Sequence, residues 1–142
     1  MIKILFVCHG NICRSPMAEF VMKDMAKKAG CADHFYVASA ATSREELGSP
    51  VYPPAKRELA RHGIACEGKF ARQITEADLT EFDYIYYMDS RNRRYLTQMF
   101  PRYDRFLPFL DRDVADPYYA GNFDQTWADI CEGCGQILEE LK

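Results

Sequence analysis

The 142-residue chain is predicted to fold as a single α/β domain, residues 1–142, built on a doubly wound parallel sheet of about four strands with helices on both faces. Three observations carry that prediction. Short runs of β-branched and apolar residues alternate with stretches of helical periodicity. The first such run, Ile2 to Val7, is apolar at all but Lys3, the pattern of a strand buried on both faces. No internal repeat or linker divides the chain.

Each element follows in order. Residues 2–7 read as the first strand, and a tight loop begins at Cys8. A helix is expected over 15–29, with Ser15 as N-cap and Pro16 at the first helical position, where no amide hydrogen is needed. Ala18, Val21, Met22, Met25 and Ala29 make its inward stripe, and Gly30 ends it in the left-handed conformation. Phe35 to Ala40 is a second strand. Residues 41–54 form a loop containing Pro50, Pro53 and Pro54. A short helix over 54–62 stops at Gly63. Thr75-Glu76-Ala77-Asp78 is a capping-box pattern that opens a helix to about Phe82. Tyr84 to Met88 is a third strand, 90–100 a helix stopped before Pro101, and Phe106 to Leu110 a fourth strand. Pro108 cannot donate to a ladder, so the fourth strand belongs at a sheet edge. A loop from Asp111 to Asn122 leads into a last helix near 123–141.

Composition narrows the function classes. At 48% hydrophobic and 27% charged the chain is globular rather than disordered. A net charge of −3 lacks the basic footprint of a general nucleic-acid binder. No apolar run reaches the length of a membrane span, and only four apolar residues separate Lys3 from Cys8, too few for a secretory signal. A cytoplasmic monomer is expected. Arg91, Arg93, Arg94, Arg102 and Arg105 read as a solvated helix face. The pair Cys131 and Cys134 falls on the apolar stripe of the last helix with Trp127, Ile130, Ile137, Leu138 and Leu141. No second Cys or His pair has ligand spacing, so no metal and no cofactor is expected. Asp111, Asp113 and Asp116 lack the glycine and terminal glutamate of a calcium loop.

The chemistry concentrates between Cys8 and Pro16, C-H-G-N-I-C-R-S-P. A strand, a tight loop and a helix start aim backbone N–H groups and the positive end of the helix dipole at one point, where an anion is favoured. The loop places a thiol, Cys8, and a guanidinium, Arg14, at that point. A free thiol has a pKa of about 8.5 and needs positive surroundings to act as a nucleophile. Arg14 offers a planar fork matching two phosphoryl oxygens, which Lys does not. A thiolate made reactive for phosphorus is open to peroxide, and Cys13 in the same loop is the candidate partner for a protective Cys8–Cys13 disulfide.

This loop resembles the signature of the low-molecular-weight protein tyrosine phosphatases, and the likeness covers nearly the whole chain. It extends to Ser39-Ala40-Ala41-Thr42-Ser43, Arg61-His62-Gly63-Ile64, Met88-Asp89 with Asn92, and Asp116-Pro117-Tyr118-Tyr119. The resemblance implies strand order 2-1-3-4 and a metal-independent phosphotyrosine phosphatase working through a phosphocysteine on Cys8. It implies a phosphate loop of Cys8, His9, Gly10, Asn11, Ile12, Cys13 and Arg14, and Asp116 as general acid. Asn11, Ser15, Ser39 and His62 would be the supporting shell, with Ser39 and His62 fixing the Asn11 side chain and Ser15 donating to Cys8. Tyr118 and Tyr119 would form one wall of the cleft. Glu45 stands where mammalian members carry an aromatic residue on the opposite wall, a departure that favours substrates with basic flanks. The implied partners are phosphotyrosine-containing proteins.

Two alternatives share the fold. Arsenate reductases of this kind relay oxidation through a Cys pair near 80–90, and this chain has none there. Phosphoarginine phosphatases carry Thr at the position of Ile12, whose aliphatic side chain suits a phenyl ring better than a guanidinium. A phosphoprotein-binding module would need neither Cys8 nor Asp116.

Overall fold

The first strand, β1 (Ile2–Cys8), is the axis of a computed structural model that describes residues 1–142, the side chain of Ala120 apart. Its successive side chains alternate between two cores, as the two-residue strand period requires. Ile4, Phe6 and Cys8 enter one, Leu5 and Val7 the other, and the first four of these apolar residues, Ile4 to Val7, are wholly buried. β1 pairs in parallel with β2 (Phe35–Ala41) on one side and β3 (Tyr84–Tyr87) on the other; β4 (Phe106–Pro108) adds to β3. The order is β2-β1-β3-β4, all parallel. Strand order reverses at β1, and in sheets of this kind ligands bind beyond the carboxyl ends of the strands at that reversal. Cys8 is the last residue of β1.

Helices cover both faces. On the first, α1 (Arg14–Lys28) supplies Met17, Val21 and Met22, α2 (Pro53–Arg61) supplies Ala55 and Leu59, and α6 (Phe123–Leu141) supplies Ile130, Cys134 and Ile137. On the second, Leu79 of α3 (Glu76–Glu81) and Leu96 of α4 (Ser90–Met99) pack with Phe82, Ile85 and Ile74. The Thr75 capping box closes on Asp78 in both directions. β4 is an edge strand, and Pro108 sits at its end opposite Tyr87. Among the described residues no helix is long and apolar enough to cross a membrane.

Several boundaries differ from the sequence reading. α1 begins at Arg14, with Cys13 as N-cap, so Ser15 lies inside the first turn. Pro16 permits this because none of the first amides of a helix has an intrahelical partner. Ala29 is exposed and Ala26 takes its place in the stripe. Within the stretch expected to be a loop, Pro117–Ala120 forms a short helix, α5, capped by Asp116. The third and fourth strands end earlier than expected, at Tyr87 and Pro108, because Met88 and Phe109 turn into the loops that build the site.

One glycine is fixed by packing. A Cβ at Gly133, in the buried face of α6, would overlap the ring of Phe109, which is itself held in the core edge-on to Phe6. At Gly135, one position away from that face, a Cβ meets nothing within 4 Å. Gly133→Ala is therefore expected to destabilise the fold by about 1–3 kcal/mol through overpacking, whereas Gly135→Ala should stabilise it by ~0.5–1 kcal/mol through helix propensity. Thermal denaturation of the two variants measures the contrast, and a shift of the same sign in both would contradict it.

Candidate active site

The loop after β1 is shaped by one residue outside ordinary backbone space. Asn11 has φ 58°, the only positive φ among described non-glycine residues, and its side chain is buried at 1% exposure. Asn accepts this left-handed conformation more readily than most residues because its short side chain finds local partners. Here Nδ2 donates to Ser15 Oγ at 2.8 Å and to Ser39 Oγ at 2.9 Å, and Oδ1 accepts the Arg72 amide at 3.1 Å. Ser39 in turn donates to Glu19 Oε1 at 2.6 Å. Gly10, by contrast, has no positive φ, and the left-handed position that closes the loop belongs to Asn11.

The start of α1 one residue early gives Ser15 its task. Its hydroxyl stands 3.0 Å from Cys8 Sγ, beside the first turn of α1. Arg14, the first helical residue, is 2% exposed. Nη1 donates to Asp89 Oδ2 and to the Val114 carbonyl, each at 2.7 Å, and Nη2 to Asp116 Oδ2 at 3.4 Å. Burial works against the guanidinium charge, yet Cys8, Asp89 and Asp116 outweigh it and hold its pKa above the ordinary value. Asp116 is the N-cap of α5, its Oδ1 accepting the Tyr118 amide at 3.0 Å.

These elements enclose one cleft, lined by Cys8, His9, Gly10, Ile12, Cys13, Arg14, Glu45, Glu46, Asp116, Tyr118 and Tyr119. Tyr118 and Tyr119 are exposed on one side, their rings edge to face at 5.2 Å, with Tyr52 behind Tyr118. Glu45 stands on the other side, its Oε2 2.9 Å from His9 Nε2. Cys13 is buried, and its thiol pKa is pushed well up by burial and then by the neighbouring Cys8. A thiol, a guanidinium, a carboxyl and an aromatic wall thus share one opening above a helix start, an arrangement that can take a phosphoryl group from an aryl oxygen.

The model of the low molecular weight phosphotyrosine protein phosphatases matches residues 3–142. The chain belongs to this family. It is 40% identical over 151 residues to the low molecular weight protein-tyrosine-phosphatase YfkJ of Bacillus subtilis, covering 100% of this chain and 97% of that protein. It is 35% identical over 152 residues to the human low molecular weight phosphotyrosine protein phosphatase, covering 96% and 94%. The crystal structure of YfkJ superposes with a TM-score of 0.94, covering 99% of this chain and 94% of the other. That of a Drosophila arginine phosphatase superposes at 0.87 with 28% identity, covering 99% and 98%. As a low molecular weight phosphatase the protein is an enzyme of the protein-tyrosine-phosphatase class.

In this phosphatase the expected support for the loop needs one correction. His62 does not reach Asn11. It caps α2, bonds Glu58 one turn back at 3.0 Å, and lies flat on Trp127 of α6 with ring centroids 3.8 Å apart. That stack joins two helices and leaves Asn11 to Ser15, Ser39 and Arg72. Glu19 and Lys69 complete the shell instead. Glu19 is 5% exposed, accepts Lys23 Nζ at 2.7 Å and lies 3.5 Å from Lys69 Nζ, which also donates to the Ser39 carbonyl at 2.9 Å. Burial lowers the Lys69 pKa and Glu19 partly restores it. A charged residue at an inward position of α1, beside Ala18 and Met22, was the available sequence signal for Glu19. Asp89 was visible as an Asp-x-x-Asn cap of α4, and the cap forms, with the Asn92 amide on Oδ1 at 2.8 Å. Its second oxygen, on Arg14, had no local signal.

Proposed function

We propose that this enzyme hydrolyses phosphotyrosine monoesters in proteins, with Cys8 as nucleophile, Arg14 as phosphoryl clamp and Asp116 as general acid. The observation that carries it is the single cleft in which the Cys8 sulfur, 3.0 Å from the Ser15 hydroxyl, shares Arg14 with the Asp116 carboxyl. Ser15 donates to the Cys8 thiolate, and the loop amides with the remaining Arg14 N–H groups take the phosphoryl oxygens. The sulfur attacks phosphorus, the P–O bond to the tyrosyl oxygen breaks, and Asp116 delivers its proton to that oxygen. Water then attacks the phosphocysteine, Asp116 takes a proton from it, the S–P bond breaks, and inorganic phosphate and free Cys8 leave the cycle. Cys8, His9, Gly10, Asn11, Ile12, Cys13 and Arg14 make the phosphate loop. The reaction calls for no metal or cofactor, and the protein acts as a cytoplasmic monomer without a nucleic-acid or membrane partner.

Ile12, Tyr118 and Tyr119 favour a phenyl ring at the mouth. The likeness to an arginine phosphatase keeps phosphoarginine as the second reading, since Glu45 and Glu46 in the same lining suit a guanidinium leaving group. Turnover of phosphotyrosine, phosphoserine and phosphoarginine peptides in the presence of a chelator separates them; faster turnover of phosphoarginine would overturn the proposal.

Asp116→Asn is expected to slow substrates with basic leaving oxygens by on the order of 10²–10⁴, and those with acidic leaving groups much less. Rates across a series of aryl phosphates measure this, and equal slowing throughout would remove Asp116 from the role. Cys13 is proposed to trap an oxidised Cys8: the sulfenic acid condenses with the Cys13 thiol, forming the S–S bond and releasing water. After mild peroxide and then dithiothreitol, the native enzyme should regain activity and Cys13→Ser should not; equal recovery of both would refute the trap.

A further inference from the structure

The general acid sits on a stretch, residues 111–116, that has no regular secondary structure of its own. A displacement of about 1 Å in a reacting group can cost as much as a hundredfold in rate, so something must fix this stretch relative to Arg14 and Cys8. Apart from the Asp116 carbonyl, which accepts the Tyr119 amide of α5 at 3.2 Å, its backbone is pinned at buried Val114, whose amide donates to the Met88 carbonyl at 2.8 Å and whose carbonyl accepts from Arg14. The residues on either side of Val114 are exposed.

Two side chains just upstream supply further ties. Asp113 accepts the Ser90 amide on Oδ1 and the Ser90 hydroxyl on Oδ2, both at 3.1 Å. Ser90 opens α4 immediately after Asp89, the carboxylate that grips Arg14 at 2.7 Å. A carboxylate at this helix start is favoured by the dipole, and it takes an amide that has no partner within the helix. Arg112 reaches the opposite way, donating to Asp129 Oδ1 at 2.8 Å and to both oxygens of Glu132, on α6. Asp129 is 4% exposed and also accepts Gln125 Nε2, so the ion pair has a fixed partner rather than a freely moving one.

We propose that Asp113, with Arg112 as its counter-tie, is a positioning residue of the reaction: it ties the Asp116 loop to the same helix start that holds Arg14. Through Asp89 the clamp is referred to the first turn of α4, and through Asp113 the acid is referred to the same turn. The two groups that must meet the phosphoryl oxygen and the leaving oxygen therefore share one rigid reference. Neither Asp113 nor Arg112 touches the substrate cleft, so their effect is on the placement of the proton and not on the grip of the phosphoryl group.

This inference rests on Asp116 being the general acid, and the experiment separates the two. Steady-state rates of Asp113→Ala, Asp113→Asn, Ser90→Ala, Arg112→Ala and Asp116→Asn are measured on phenyl phosphate and on nitrophenyl phosphate, with inhibition by inorganic phosphate. Asp113→Ala should lose roughly tenfold in kcat on phenyl phosphate and much less on nitrophenyl phosphate. Its KM and phosphate inhibition should stay within about twofold of the native enzyme. Arg112→Ala should move the same way, and Asp113→Asn, which keeps an acceptor for Ser90, should recover most of the loss. Ser90→Ala combined with Asp113→Ala should be no worse than Asp113→Ala alone. An equal fall on both substrates, no fall at all, or additive losses in the double variant would overturn the positioning role while Asp116→Asn still shows leaving-group dependence. A flat response in Asp116→Asn itself would overturn the general-acid reading and this inference with it.

Discussion

A guanidinium buried to 2% exposure is the constraint on which the site depends. Removing such a charge from water costs several kcal/mol unless close, well-directed acceptors offset it. Arg14 finds three: Asp89 at the start of α4, and Val114 and Asp116, two residues apart on the stretch between β4 and α5. The demand of one charge therefore gathers two segments that lie far from it in sequence. It also sets the guanidinium in the lining of the cleft.

A second network holds the loop from beneath. Asn11 is kept in the left-handed region by Ser15, Ser39 and the Arg72 amide, and Ser39 is tied to Glu19 and through it to Lys23 and Lys69. Every member has a partner, which is what makes a buried polar network rigid rather than costly. Ser15 belongs to both halves: it accepts from Asn11 and stands against Cys8. The thiol is thus held by the same hydroxyl that stabilises the loop, so loop shape and thiol placement are one property. Cys8 ends a strand, and Arg14 and Asp116 stand at helix starts.

Much of this was readable in the residues. Pro108 announced an edge strand because it lacks an amide hydrogen, and the sheet places it there. The strand, glycine, Asn and helix start around Cys8 announced a tight strand–loop–helix junction, and the loop turns there on left-handed Asn11. The cap of α1 was misjudged by two positions, Ser15 for Cys13, because proline is tolerated throughout the first turn, so Pro16 could not say which of its neighbours was the cap. His62 was misassigned because its partner, Trp127, lies on another helix some 65 positions later, and only tertiary packing brings the two rings together. Asp89 was visible as a cap but not as the partner of Arg14, since one carboxylate serving two ends leaves a local pattern for only one of them. Lys69 was silent for the same reason: an ion pair across 50 positions has no periodicity.

The central claim is that the Cys8 sulfur itself receives the phosphoryl group. Rapid acid quench of the Asp116→Asn enzyme during turnover of an aryl phosphate, followed by peptide mass spectrometry, tests it most directly. The mechanism predicts a phosphoryl group on the peptide carrying Cys8, accumulating because the water-activating carboxylate is gone, and lost in the Cys8→Ser protein. Undiminished turnover in Cys8→Ser, or a phosphoryl group trapped on any other residue, would contradict it.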